Sequence, residues 1–288
     1  MSQNKIKLAL LQRSCSANYK QNLADTVIDI KKAAESGAQV ILLQELFNTT
    51  YFCQTVDEQY FDLAQPIPGS ITEELTSLAK DLDIVIVAPF FERRTAGIYH
   101  NSLVVIDADG TLMGTYRKKH IPDDPSFHEK YYFTPGEDEY QVFDTKYAKI
   151  GPLICWDQWY PEAARITALK GAELLVYPTA IGTLPNEESQ QGQEFLDAWQ
   201  TIQKSHAIAN GCYVASINRV GQEENISFWG HSFVAGPFGQ MLVEAGSEEE
   251  ILTADIDLSK IEKQRQTWPF FRDRRIDTYE PILKRFIE

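Results

Sequence analysis

An α/β fold is predicted by three features of this 288-residue sequence. Residues 149–178 read as strand, sharp turn, helix and second strand, a complete βαβ unit. Short apolar runs at 40–43, 84–88 and 174–176 suit buried strands. Between them lie longer stretches of helical period, so strands and helices alternate along the chain.

The first strand is expected at 6–11, followed by an amphipathic helix over 18–36 with Leu23, Val27, Ile30 and Ala34 on one face and Gly37 as its stop. The strand at 40–43 runs straight into Gln44 and Glu45. A helix is expected over 71–82 and a third strand over 84–88. Residues 99–107 and 111–116 form a hairpin about Asp109-Gly110, a dipeptide that tight turns favour. The hairpin delivers YRKKHIPDD, Tyr116 to Asp124, into a long loop, and 126–136 (SFHEKYYFTPG) is too polar for a core strand. In the central unit Ile150, Leu153 and Ile154 form a strand that ends at Cys155. Pro161 fits a first helical position, Glu162 the positive end of the helix dipole, and Gly171 the stop. After a loop at 178–189 come a helix over 193–209 and strands over 213–218, 228–235, 241–245 and 250–256. No repeat or low-complexity linker divides the chain. One domain is expected over 1–263, with a C-terminal extension, 264–288, whose aromatic and basic residues suit packing on the domain or on a neighbouring subunit.

Composition narrows the function. The 27 basic and 41 acidic residues give a formal charge of −14, which disfavours nucleic acid or acidic lipid and mildly favours the approach of cations. The opening MSQNKIKLALLQ lacks a basic-then-apolar leader, and no apolar run approaches the ~20 residues of a membrane span, so a cytoplasmic protein without a membrane partner is expected. Cys15, Cys53, Cys155 and Cys212 show neither zinc-site spacing nor the density of a disulfide scaffold. Reduced thiols and no metal are expected.

Cys155, at a strand end before a turn and a helix, occupies the kind of place that holds a nucleophile above a sheet. A lone cysteine after an apolar run is commonly inert core, so its weight comes from recurrence. Glu45 also ends a buried strand, and Lys118, beside Lys119, ends the hairpin. Strand ends of stacked sheets can converge on one side. A carboxylate that takes the thiol proton and an ammonium that favours developing negative charge suit attack on a carbonyl. Two other schemes fit the same residues: a Cys-His hydrolase that pairs Cys155 with His120 or His206, and a binding protein without catalysis.

The ordered blocks LLQELF, YRKKHIPD, HEKYYFTPG, ICWDQWYPEAAR, YPTAIG and FRDRR extend from Leu42 to Arg275 and together resemble the nitrilase/carbon-nitrogen hydrolase superfamily. The resemblance implies a four-layer αββα sandwich, a site without cofactor, and a homo-oligomer, dimer or larger. It implies Glu45 as general base, Lys118 as oxyanion stabiliser, Cys155 as nucleophile and Glu129 as a second acid that orients the site, with the Trp156 N–H as oxyanion donor. Within the superfamily the likeness is to members acting on a small carbamoylated amine. In members that hydrolyse carbamoyl amino acids, an arginine commonly follows the nucleophile and grips the carboxylate. Here Gln158 and Trp159 hold those places, while Asp123, Asp157 and Glu187 are the acids expected near a distal ammonium.

Overall fold

The computed structural model describes residues 4–185, 187 and 189–288. The first half of the chain supplies β1 (Lys5–Gln12), α1 (Tyr19–Glu35), β2 (Val40–Leu43), α2 (Ser70–Leu82), β3 (Val85–Thr95), β4 (Ile98–Ile106), β5 (Leu112–Arg117) and the single turn α3 (Glu129–Tyr132). The second half supplies β6 (Phe143–Asp144), β7 (Lys149–Pro152), α4 (Pro161–Leu169), β8 (Leu174–Pro178), β9 (Gly182–Thr183), α5 (Ser189–Asn210), β10 (Tyr213–Ile217), β11 (Val220–Glu223), β12 (Ile226–Trp229), β13 (Phe233–Ala235), β14 (Met241–Glu244), β15 (Glu250–Asp257) and α6 (Ser259–Thr267).

Two six-stranded sheets result, ordered β15-β1-β2-β3-β4-β5 and β14-β13-β10-β8-β7-β6. Strand alternation decides what each face covers. In β1 and β2, Leu8, Leu10, Val40 and Leu42 enter the core shared with the second sheet, whereas Ala9, Leu11, Ile41 and Leu43 turn to α1 and α2. α4 and α5 add Ala163, Ala164, Trp199 and Ala207 to the core of the second sheet. Gly151 is required there, since a Cβ would lie 2.4 Å from the Thr167 methyl of α4. The layers run helix, sheet, sheet, helix, the αββα sandwich expected.

A third sheet, ordered β11-β12-β9, stands apart from both. The sequence reads 228–235 as one strand; the chain divides it between two sheets because Gly230 and His231 take positive φ of 71° and 54°. β3 runs to Thr95 and pairs antiparallel with β4, a hairpin not expected from the sequence. The buried stripe of α1 is also displaced. Asn22, Thr26 and Asp29 are buried with Ile30 and Ala33, while Leu23, Val27 and Ala34 are only partly covered. Asn22 is satisfied by the Asn48 carbonyl and Asp29 by Arg13, so polar partners override the apolar pattern. Residue 263, where the sequence reading ends the domain, lies inside α6, and the chain leaves the helix only after Thr267. Among the described residues no helix is long and apolar enough to cross a membrane.

Candidate active site

The apolar strands β2 and β7 lead their following residues to one buried point. Glu45, two residues past β2, and Lys118, immediately after β5, are each inaccessible to solvent. Lys118 Nζ lies 2.9 Å from Glu45 Oε1 and 2.7 Å from Glu129 Oε2. Asn101 on β4 fixes both ends of this arrangement. Its Nδ2 donates to Glu45 Oε1 at 2.7 Å, and its carbonyl accepts the Lys118 N–H at 2.9 Å. Glu45 Oε2 has no hydrogen-bond partner among the described residues.

Glu129 opens α3 inside the loop read from the sequence as polar. An aromatic cluster carries it inward: Phe52 packs at 5.1 Å on both Phe91 and Tyr132, and Phe91 at 5.2 Å on Phe133. Each such pair adds about 0.5–1.5 kcal/mol beyond burial. Tyr51 completes the shell with its hydroxyl donating to Glu129 Oε1 at 2.7 Å. Burial raises the Glu129 pKa to about 7, Lys118 opposes the rise and Glu45 adds to it. Burial also works against the Lys118 charge, but Cys155, Glu129 and Glu45 outweigh it and hold the ammonium well above its ordinary range.

Cys155 begins a 3-10 turn, Cys155–Trp159, with φ +42°, a conformation costly for a side chain bearing Cβ and typical of strained functional turns. Its sulfur is buried. Burial and the Glu45 charge push the thiol well above its ordinary pKa, more than Lys118 and the Ala180 N–H pull it down. The expected lowering by the ammonium is therefore overridden.

Asp157 holds this turn together. Its Oδ2 accepts from the Ile154 N–H at 3.0 Å and the Tyr116 hydroxyl at 2.7 Å, and its Oδ1 from the His120 N–H at 3.1 Å and Nδ1 at 2.6 Å. His120 stacks on Tyr160 at 3.7 Å. His206 directs Nε2 to the Gln158 carbonyl at 2.8 Å. Both imidazoles thus brace the turn rather than bond the sulfur, which removes the geometric basis for a Cys-His pair.

A cavity of about 550 Å³ opens above Cys155, walled by Phe127, Trp156, Trp159, Leu184, Phe195 and Trp229. Its rim needs Gly182, where a Cβ would lie 2.2 Å from the Ser227 carbonyl oxygen of β12. Among the described residues, the charged ones that line it are Asp124, Glu129 and Glu187. Glu187 Oε2 accepts the Leu184 N–H at 2.8 Å. Two acids expected at a distal ammonium are elsewhere. Asp157 is fully buried with both oxygens occupied by protein donors, and Asp123 is half exposed and pairs with His128 at 3.5 Å, leaving its neighbour Asp124 on the wall. Gln158 also points inward, its Oε1 accepting from Trp199 and Thr179, so only Trp159 of that pair meets the cavity. Tyr51, Asn101, Arg219 and Glu223 escaped the sequence reading; the arginine two residues past the apolar strand β10 is the signal that could have disclosed a buried charge.

The family model for carbon-nitrogen hydrolase matches residues 7–266. N-carbamoylputrescine amidase of Solanum lycopersicum is 46% identical over 96% of this chain and 95% of its own. The citrullinase of Francisella tularensis is 45% identical, covering 98% and 99%. A crystal structure of a carbon-nitrogen hydrolase from Helicobacter pylori superposes with TM-score 0.96 at 44% identity over 98% of this chain and all of that one. By the model match, the near-full-length identity and the shared fold, this chain belongs to the carbon-nitrogen hydrolase family.

Proposed function

We propose that the protein hydrolyses the ureido group of N-carbamoylputrescine to putrescine, carbon dioxide and ammonia. The carrying observation is the charge of the cavity: its walls are apolar and aromatic, and every charged residue among its described lining is acidic. A distal ammonium meets Asp124 and Glu187 there. Citrulline, the same ureido chain with a carboxylate added beside the amine, finds no cation on that wall, and neither does an ω-amide or a carbamoyl amino acid.

Glu45 Oε2 takes the Cys155 proton, and the thiolate attacks the ureido carbon. Lys118 and the Trp156 N–H, in the first turn of the 3-10 segment where helical N–H groups lack internal partners, face the oxyanion. The proton held by Glu45 passes to the departing ammonia. Glu45 then deprotonates water, which attacks the S-carbamoyl intermediate. The thiolate leaves and recovers the proton, and the released N-substituted carbamic acid loses carbon dioxide to give the amine.

Ammonia release from N-carbamoylputrescine, citrulline, N-carbamoyl-β-alanine, a simple amide and a nitrile tests this reading. We expect N-carbamoylputrescine to lead in kcat/KM by at least ~100-fold, the scale of a charge left unpaired or opposed. A faster rate on citrulline or a simple amide overturns the substrate assignment.

The extension beyond α6 is assigned to a subunit contact in a homo-oligomer. Trp268 and Phe270 stay substantially exposed in the single chain, as do Ile276, Leu283 and Phe286, and the residues lining the cavity end at Trp229. Removing residues after Thr267 is expected to lower the mass in light scattering. An unchanged mass refutes it.

A further inference from the structure

The buried ion pair of Arg219 and Glu223 takes no part in the steps above, yet it touches the site from two sides. Arg219 lies between β10 and β11, fully buried, and Glu223 ends β11 on the third sheet. Arg219 Nη1 donates to Glu223 Oε1 at 2.7 Å. Its Nη2 donates to the carbonyls of Glu45 at 2.7 Å, Leu46 at 3.2 Å and Thr49 at 3.3 Å. Glu223 Oε2 accepts the Tyr51 N–H at 2.6 Å, and it is the Tyr51 hydroxyl that bonds Glu129.

We propose that Arg219 and Glu223 are positioning residues of the hydrolytic site: Arg219 holds the turn that carries Glu45, and Glu223 sets Glu129 through Tyr51, so that one ion pair fixes both carboxylates about Lys118. This rests on the catalytic reading given above.

Two further observations support it. Leu46 has φ +51°, in the left-handed region that leucine avoids, and the carbonyls on either side of its Cα are both gripped by Arg219. A buried ion pair is also a poor means of stabilising a fold, because two charges give up water for one contact. Its retention is explained by the two directions in which it reaches. The carboxylate is specifically required, since each of its oxygens faces a donor. An amide at 223 turns an NH2 group toward either Arg219 or the Tyr51 N–H and leaves donor against donor.

Glu223→Gln and Tyr51→Phe, singly and combined, test the relay, with Arg219→Met/Glu223→Gln as a pair that strands no charge. Circular dichroism and melting identify the folded variants. Glu223→Gln is expected to lower kcat ~10- to 100-fold with KM within ~3-fold, the signature of misplaced catalytic groups rather than lost binding. The groups around Glu129 are Lys118, Glu45, Tyr51, Cys53 and Cys155. A weakened Tyr51 bond favours the protonated acid, so the acid limb of the pH profile moves up. Tyr51→Phe moves the same limb, and the combined variant moves it no further than the larger single change. The neutral pair loses rate likewise. Iodoacetamide alkylation of Cys155 reads the same pH shift without any substrate. A folded Glu223→Gln enzyme with unchanged kcat and an unmoved alkylation profile overturns the proposal, as do multiplying effects of Glu223→Gln and Tyr51→Phe. A shifted alkylation profile in a protein that leaves N-carbamoylputrescine intact upholds the positioning role and overturns the substrate assignment alone.

Discussion

Lys118 Nζ bonds Oε1 of Glu45 at 2.9 Å and leaves Oε2 of the same carboxylate without a partner among the described residues. One oxygen is thereby fixed and the other is free to exchange a proton. Glu45→Gln keeps the shape and loses the base. We expect kcat to fall ~10²- to 10⁴-fold, in both the ammonia burst and the following hydrolysis, because one base serves both. Cys155→Ala is expected to stop turnover with the fold retained. Near-normal turnover by either variant, followed by ammonia release, removes that residue from the mechanism.

Lys118→Ala removes the cation shared by two buried carboxylates. The loss of the proposed oxyanion partner predicts at least a ~100-fold fall in kcat. Stability is expected to fall by about 3–5 kcal/mol, because the variant leaves buried charges unpaired. Protonation relieves that repulsion, so the deficit in denaturant unfolding is larger at pH 8 than at pH 5. A deficit independent of pH contradicts the pairing.

Glu129 gives the pH dependence a sign. Burial raises its folded pKa to about 7 from an ordinary 4.5, and in a network this close the apparent value belongs to the group as a whole. Below about 4.5 both folded and unfolded chains hold the proton and the contribution to stability is complete. Between 4.5 and 7 the unfolded chain ionises first and stability declines, and above 7 the penalty is constant. Glu129→Gln is expected to flatten that decline in unfolding curves. Activity moves oppositely. With Glu129 protonated, Lys118 pairs with Glu45 alone and holds that carboxylate as a weaker base toward the Cys155 thiol, so kcat/KM rises as pH passes through about 7. A flat profile from pH 6 to 8 is incompatible with this.

What the sequence discloses and what it hides have a common cause. Glu45 and Cys155, the proposed base and nucleophile, stand out in the sequence because an apolar strand that stops on a reactive side chain is a local pattern. Asn101, Tyr51 and Arg219 are not, because each is an ordinary polar residue until folding brings in a partner 56, 78 or 174 positions away. Asp157 is misplaced by sequence reasoning for a related reason. A carboxylate two residues after a nucleophile can face the cavity or cap its own turn, and only the presence of Tyr116 and His120 on the inner side decides. The paired sheets are legible only through family likeness, since apolar alternation fixes strands but not which strand belongs to which sheet. The α1 stripe shows the limit of periodicity itself, where the pairing of Asp29 with Arg13 buries a charge on the face expected to be apolar.

Glu187 and Asp124 differ in their hold on the protein, and this separates their roles in substrate choice. Glu187 commits one oxygen to the Leu184 N–H at 2.8 Å, which fixes the carboxylate at the cavity wall. Asp124 lies on an exposed bend closed by backbone bonds to Phe127, with its side chain in solvent reach. A fixed charge beside aromatic walls interacts more strongly with an ammonium than one screened by water. Glu187→Gln is therefore expected to raise KM for N-carbamoylputrescine ~10-fold or more with little change in kcat, since the contact is made equally in ground and transition states. Asp124→Asn is expected to have a smaller effect that fades at high salt. Because the same charge repels the carboxylate of citrulline, Glu187→Gln also narrows the preference between the two substrates. Steady-state kinetics on both, at low and high ionic strength, checks this, and a preference unchanged by Glu187→Gln places the ammonium elsewhere in the cavity.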